Sequence, residues 1–452
     1  MPDSRSCLAI VLAAGEGVRM RSSLPKALHA LAGRPMLAHL LEAVAAAGIE
    51  SVALVVGPGR DDVAARARVS TPLIEVFIQA ERRGTAHAAL TARSAVERGY
   101  DDIVVLFADT PLLEPPTIVA LRAPLAHGAA VSVLGFEPGD PHGYGRLLME
   151  GERLCAVREE KDASEEERRV RACNAGAMAF DGRRALDLLD SISDDNAQKE
   201  FYLTEAVRLA NARGWTCAVE WAPFEEVLGV NDRIQLAAAE VALQHKLRTA
   251  AMRAGATLLD PASVTLSWDT RLGQDVLVEP HVFFGPGVVV EDGAAVRAFS
   301  HLVGAHVQKH ASVGPFARLR PGARVSQNAK VGNFVEIKNA DIGVGAAVSH
   351  LSYIGDASVG ARANVGAGAI TCNYDGFDKR RTIIGEGAFI GSNASLVAPV
   401  TVGAGAYVGS GSVITRDVAP EALALARALQ VEKADWAKRF RDARARKKSG
   451  ES

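Results

Sequence analysis

The sequence has little net charge, few cysteines and no long apolar run, and each absence removes a class of protein. A formal net charge of −2 over 452 residues gives no overall attraction for a polyanion, so no nucleic acid is expected and a charged ligand must be held locally. The five cysteines, Cys7, Cys155, Cys173, Cys217 and Cys372, are odd in number, scattered and free of CxxC pairs, which argues against a disulfide framework and favours a reducing, cytoplasmic setting. No apolar stretch is long enough to span a membrane. The run 8–14 has only Arg5 before it and enters a glycine loop directly, so it is expected to be a strand rather than the core of a leader peptide.

What is present is length and rhythm. The chain exceeds what one core usually supports, and its 48% hydrophobic content suits a globular enzyme of two or three domains. Towards the C-terminus Ile384, Ile390, Leu396, Val402, Val408 and Ile414 recur every six residues. That period is neither the 3.6 of a helix nor the two of a strand. The same beat runs upstream in shifted phases: Leu272, Val278, Phe284, Val290, Val296 and Leu302; Val307, Val313, Leu319, Val325, Val331 and Ile337; Ile342, Val348 and Ile354. One apolar side chain per hexad can fill a triangular prism walled by short parallel strands, with Gly, Asn and Asp at the corners. A left-handed parallel β-helix is expected, with ~18 residues per coil and ~4.8 Å between strands, or roughly seven coils in about 35 Å. A right-handed β-helix and a sandwich of short strands are the alternatives. The repeat itself, not the general crossover rule, points to the left-handed form.

The N-terminal half reads differently. Residues 8–12, 51–56 and 103–107 are continuous apolar runs separated by helical stretches such as 35–48, the pattern of buried parallel strands with crossover helices. An α/β domain is expected over 1–228, with its ligands at the carboxyl ends of the strands. Leu236, Ala239, Leu243 and Leu247 share one helical face before Gly255, so 229–255 is expected to be a connecting helix that holds two domains apart, with Asn231 able to cap it. The β-helix then occupies 256–430 and a basic tail 431–452.

Directly after the first strand, Gly15 and Gly17 let backbone amides approach a phosphate, and Arg19 and Lys26 can neutralise charge built up in phosphoryl transfer. The loop is neither a dinucleotide GxGxxG nor a GxxxxGK. Asp109 ends a buried strand, where a carboxylate can hold Mg²⁺ between phosphates, although a turn-forming Asp before Thr-Pro reads the same way. Gln79 and the segment from Gly84 to His87 offer groups to read the edge of a base. Gly145, Glu159, Asn174 and Asn231 stand in glycine-rich or polar segments suited to sugar hydroxyls and an acetamido group.

Inside the repeat, Arg320, Lys338, His350, Tyr353, Asn364, Asn373 and Tyr374 have no structural use, and residues 371–381 interrupt the hexads as an outward loop of the kind that binds ligands. An imidazole of pKa near ~6.5 is mostly neutral at neutral pH, so His350 is the candidate general base for an attacking amine; a water-exposed corner histidine is the alternative. Arg320 and Lys338, about one coil apart, bring positive charge towards His350, and Glu336 is expected to orient its ring. His301, His306 and His310 have spacings that fit neither a helix face nor a zinc pattern. Residues 431–452 carry eight Lys or Arg against four Asp or Glu, with Trp436 and Phe440 on a helix. A solvated tail is expected, contact with a neighbouring subunit or CoA phosphates being the alternative.

In order, the LAAG-x-G-x-R-M…PK loop, Q…GTAHA, ADTPL, GYGR, EEKDA, NAG and GVND, followed by the solenoid, resemble the bifunctional N-acetylglucosamine-1-phosphate uridyltransferase/glucosamine-1-phosphate acetyltransferase family over nearly the whole chain. The resemblance implies a Rossmann-like pyrophosphorylase domain in which Leu12, Ala13, Ala14, Gly15, Lys26, Gln79, Gly84 and Thr85 contact UTP. It further implies Mg²⁺ on Asp109 and Asn231, with Gly145, Glu159, Asn174 and Asn231 around the N-acetyl sugar. Val18 departs from the family's usual Ser or Thr, removing one hydroxyl contact to phosphate. In the solenoid it implies Arg320, Lys338, Tyr353 and Asn364 on the sugar phosphate, His350 as base, and Ala367, Asn373, Tyr374, Ser392, Ser410 and Arg427 on acetyl-CoA. It also implies a homotrimer with the acetyl site between subunits, and a product, UDP-N-acetylglucosamine, that feeds peptidoglycan and lipopolysaccharide precursors. Two rivals stand beside it: a monofunctional nucleotidyltransferase with an assembly rod, against which His350, Asn364 and Tyr374 weigh, and a solenoid acetyltransferase with a decayed first domain, against which Arg19, Lys26 and Asp109 weigh.

Overall fold

A computed structural model describes residues 5–449; residues 1–4 of the first expected domain and 450–452 of the tail lie outside the described residues. The chain forms two compact units. The first runs to Ala250 and includes Leu266–Trp268; the second holds Ala251–Thr265 and the chain from Asp269 onward.

In the first unit, β1 (Cys7–Ala13), β2 (Ser51–Val56), β3 (Glu75–Ile78), β4 (Asp102–Phe107), β5 (Val131–Phe136), β6 (Arg146–Glu150), β7 (Arg153–Arg158), β8 (Cys173–Asp181) and β9 (Cys217–Trp221) form one sheet. Its order is β9-β5-β8-β4-β1-β2-β3, with the β6–β7 hairpin attached to β8. Neighbours are parallel except at β8, which runs antiparallel to β4 and β5. Along β1, Leu8, Ile10 and Leu12 enter one core with Ala86, Ala89 and Leu188, while Cys7, Ala9 and Val11 enter another with Leu37, Leu40 and Leu121. Burial on both faces explains why the strand is a continuous apolar run rather than an alternating one. The strand order reverses at β1, which places a crevice at the carboxyl ends of β1 and β4.

The helix Arg233–Arg253 lies where expected, but Ala239 and Leu243 are buried against Leu31, Met36 and Val230. Most of it therefore belongs to the packing of the first unit and is not a free spacer. Its N-cap is Asp232, whose Oδ1 accepts from the Gln235 N–H at 2.8 Å. That corrects the assignment of the cap to Asn231 and leaves the Asn231 side chain available for the crevice.

In the second unit, strands of two to seven residues stack in parallel, as the β-helix requires. Val278, Val296, Val313, Val331, Val348, Val365, Ile390 and Val408 form one inward column. One wall is ten strands deep among the described residues, not seven. The hexad count fell short because Leu258, Val264, Val359, Val365 and Thr371 also point inward, and because five-residue steps such as Leu302 to Val307 and Ile354 to Val359 shift the phase. Ten strands at ~4.8 Å give about 43 Å.

One corner also departs from the Gly, Asn and Asp rule. His281, Phe299, Phe316, Phe334 and Leu351 all turn there with φ between 52° and 59°. Each such turn costs an L-residue about 1–2 kcal/mol. Here ring stacking offsets part of that cost, with centroids 4.9 Å apart for His281–Phe299, 5.0 Å for Phe299–Phe316 and 5.1 Å for Phe316–Phe334. The last described element is the helix Trp436–Ser449, exposed at every described side chain, with Trp436 stacked on Phe440.

Candidate active sites

The crevice of the first unit contains a cavity of about 250 Å³. Leu12, Ala13, Ala14 and Gly15 line it from the end of β1, Gln79 and Gly84-Thr85 from beyond β3, and Asp109 from beyond β4, with Lys26 on the loop between. The eight residues expected to contact UTP and the expected metal ligand Asp109 are thus brought together. Gly15 faces open space, as a backbone that is to meet a ligand should. Gly17, at φ 62°, is required sterically: a Cβ there would lie 2.7 Å from the Lys26 Cβ, so its absence lets the lysine stem pass beneath the loop. Gln79 is buried and donates towards His87 Nδ1 at 3.0 Å, which leaves its carbonyl oxygen unused. Arg19 does not line the cavity; it is exposed on the turn Val18–Met20.

Below the cavity the Lys26 ammonium is ion-paired to the Asp109 carboxylate and donates to Asn231 Oδ1 at 3.1 Å. Asn231 is carried there by the Val230 N–H, which donates to the Asp109 carbonyl at 2.8 Å. Two oxygen donors, one anionic and one neutral, converge on a single cation. This is a donor set suited to a hard divalent ion, with the ammonium standing in for it.

Gly145, Glu159 and Asn174 form a second group beside the crevice. The Asn174 N–H donates to the Gly145 carbonyl at 2.8 Å, and Glu159 lies against Gly145. Burial pushes the Glu159 carboxyl above the usual carboxylate range, and Asp162 adds to the effect, whereas the Thr204 hydroxyl, donating at 3.1 Å, opposes it.

In the solenoid, corner stacking gathers the expected acyl-transfer residues into one column. Leu351 N–H donates to the Asn333 carbonyl at 3.0 Å, Gly368 N–H to that of His350 at 3.2 Å, Asn393 N–H to that of Ala367 at 2.8 Å, and Gly411 N–H to that of Ser392 at 2.8 Å. Arg427 closes the column by donating to the Ser410 carbonyl at 2.9 Å. Residues sixty positions apart in sequence therefore face solvent along one edge.

The cations lie on another wall, where Leu319 and Ile337 are register partners, so that Arg320 and Lys338 stand one coil apart. Arg320 is paired with Glu336 at 2.9 Å and Lys338 with Asp356 at 3.5 Å. Asp356 also accepts from Asn339 at 2.7 Å and from Asn373, and these partners hold its carboxyl below the usual range although burial pushes it up. Tyr353 pairs with Glu336 and Ile370 on this wall. Asn364 lies on a different one, between Ala347 and Phe389. Of the 371–381 insertion, Thr371 and Asn373 are buried and residues 374–381 are exposed, with Tyr374 donating to the Gly376 carbonyl at 2.6 Å. His306 is paired with Glu291 at 2.7 Å, and His301 packs edge-on against Phe283.

One expectation fails outright. Glu336 is engaged by Arg318 and Arg320, and the ring of His350 is met by Asn333. Sequence reasoning also missed Asp356, Thr204 and Arg82, the last bonded to the Ala14 carbonyl at 2.9 Å across the glycine loop. The Arg pair preceding Gly84 was the only local signal for it.

A crevice at the carboxyl ends of β1 and β4, lined by a glycine loop, a lysine and an aspartate, followed by a solenoid with its own histidine and cations, defines a two-domain transferase. In agreement, the family of MobA-like NTP transferase domains matches residues 9–177, and six repeats of the bacterial transferase hexapeptide match residues 381–416. The chain belongs to the bifunctional protein GlmU family. It is 61% identical over 444 residues to the member from Azorhizobium caulinodans, spanning 98% of this chain and 99% of that one, and 59% identical over the same length to the member from Xanthobacter autotrophicus.

Proposed function

We propose that the second unit transfers acetyl from acetyl-CoA to glucosamine-1-phosphate, and that the first transfers uridylyl from UTP to the N-acetylglucosamine-1-phosphate so formed, releasing pyrophosphate. The convergence of Lys26, Asp109 and Asn231 beneath the crevice carries the uridylyl half. Gln79 and Thr85 flank the base, Gly15 and Lys26 the phosphates, and Gly145, Glu159 and Asn174 the amino sugar. Mg²⁺, held by Asp109 and Asn231, would supply charge neutralisation to the phosphates. Lys26, displaced from that pair, would turn to a phosphate oxygen, and Arg19 would fold in from its exposed turn as the sugar phosphate oxygen attacks the α-phosphorus in line.

In the second unit, Arg320 and Lys338 bind the sugar phosphate, with Tyr353 and Asn364 completing the site. His350 takes the amine proton, and Ala367, Asn373, Tyr374, Ser392, Ser410 and Arg427 hold the acyl donor. Because Asn364 lies on a different wall from the cations, a site built between subunits accounts for its role, and we assign a homotrimer. No helix is long and apolar enough to cross a membrane among the described residues. A cytoplasmic role in supplying UDP-N-acetylglucosamine for cell-envelope precursors fits these substrates.

The test is separability. His350→Ala should lower acetyl transfer by about 10²–10⁴-fold and leave uridylyl transfer within about twofold. Asp109→Ala should do the reverse. Loss of both activities in a folded His350→Ala protein would contradict two independent sites.

A further inference from the structure

His350 can act as a base through Nε2 in only one tautomer. Its Nδ1 lies 2.6 Å from Asn333 Oδ1. A carboxamide oxygen only accepts, so this contact puts the ring proton on Nδ1 and leaves the Nε2 lone pair free. The opposite amide orientation would donate to Nδ1, place the proton on Nε2 and disable the ring.

Backbone geometry holds the pair together. Asn333 and His350 are register partners at the ends of the parallel strands Lys330–Asn333 and Ala347–His350. The residues that follow them, Phe334 and Leu351, both turn the corner with positive φ, at 55° and 52°. A Cβ at Gly332 would collide with the Ser349 carbonyl, so only glycine permits the two strands this approach. The neighbouring coils carry Pro315 and Ala367 at the same place in the column, neither of which has a side-chain acceptor.

We infer that Asn333 is a positioning residue for acetyl transfer, a role that rests on the reading of His350 as the base. Its oxygen keeps the proton on Nδ1. As the amine nitrogen bonds to the thioester carbon and the C–S bond breaks, Nε2 takes the amine proton and passes it to the departing CoA thiolate.

Asn333→Leu removes the acceptor at similar size, whereas Asn333→Asp keeps an acceptor and removes the donor. We expect the Leu variant to lose about 10–100-fold in acetyl-transfer kcat, with KM for both substrates within about twofold, and the Asp variant to stay within about fivefold of the parent. Uridylyl transfer and thermal unfolding report whether each variant is folded; if Leu is not tolerated, Asn333→Ala makes the same comparison. Full kcat in the non-acceptor variant, equal losses in both, or a loss confined to KM would overturn the inference. If His350→Ala itself retained acetyl transfer, the reading of His350 would fall instead.

Discussion

Glu159 is the carboxylate whose surroundings most oppose its charge, because burial outweighs its hydrogen bond from Thr204. A carboxyl whose folded pKa is raised binds its proton more tightly in the folded than in the unfolded chain. Its contribution to stability is therefore present at low pH and lost as pH rises through the folded pKa. Glu159→Gln should accordingly raise the unfolding temperature at pH 8 and leave it unchanged near pH 4, while weakening sugar binding. A variant that melts lower than the parent at pH 8 would show that the Glu159 charge is stabilised rather than opposed. At this scale the sequence singled out Lys26, Asp109 and His350 as candidates, since each stands in a motif or breaks a repeat. Thr204 and Asn333 were hidden because their partners lie 45 and 17 residues away, at distances set by folding alone.

Among the elements, the strand Ile370–Cys372 shows how the solenoid accommodates an insertion. Thr371 takes an inward position that the hexads reserve for an aliphatic residue, and it is buried. Its hydroxyl accepts from the Gly355 N–H at 2.8 Å and donates back to the Gly355 carbonyl at 3.0 Å. The coil can therefore open into the 371–381 loop without leaving that amide unpaired. Thr371→Val keeps the shape but strands the buried N–H, at a cost of about 1–3 kcal/mol. Faster amide exchange at Gly355, together with a lower unfolding temperature, would register it; unchanged exchange would mean that another acceptor steps in. A polar residue in an apolar position is one of the reasons the sequence undercounted the coils.

For the whole molecule, the corner ladder is the feature that a single chain leaves unexplained. Phe299, Phe316, Phe334 and Leu351 are 52%, 46%, 55% and 62% exposed, although they are large and apolar, and they run directly beside Asn333 and His350. A continuous apolar stripe of this kind is suited to burial against another subunit. On the homotrimer proposed above, Phe316→Glu should yield monomer in sedimentation experiments and lower acetyl transfer at least tenfold, with uridylyl transfer within about twofold. A monomer that keeps full acetyl transfer at dilution would exclude a site shared between subunits. The sequence by itself determined both folds and the order of the two chemistries, because inward-facing periodicity and glycine-bearing motifs are local properties of the chain. Only the tertiary structure decided that Lys26 meets Asp109 and Asn231, that Asp232 rather than Asn231 caps the helix, and that Asn333 rather than Glu336 faces His350. Those pairings depend on strand register and corner stacking, which the spacing of residues along the chain leaves open.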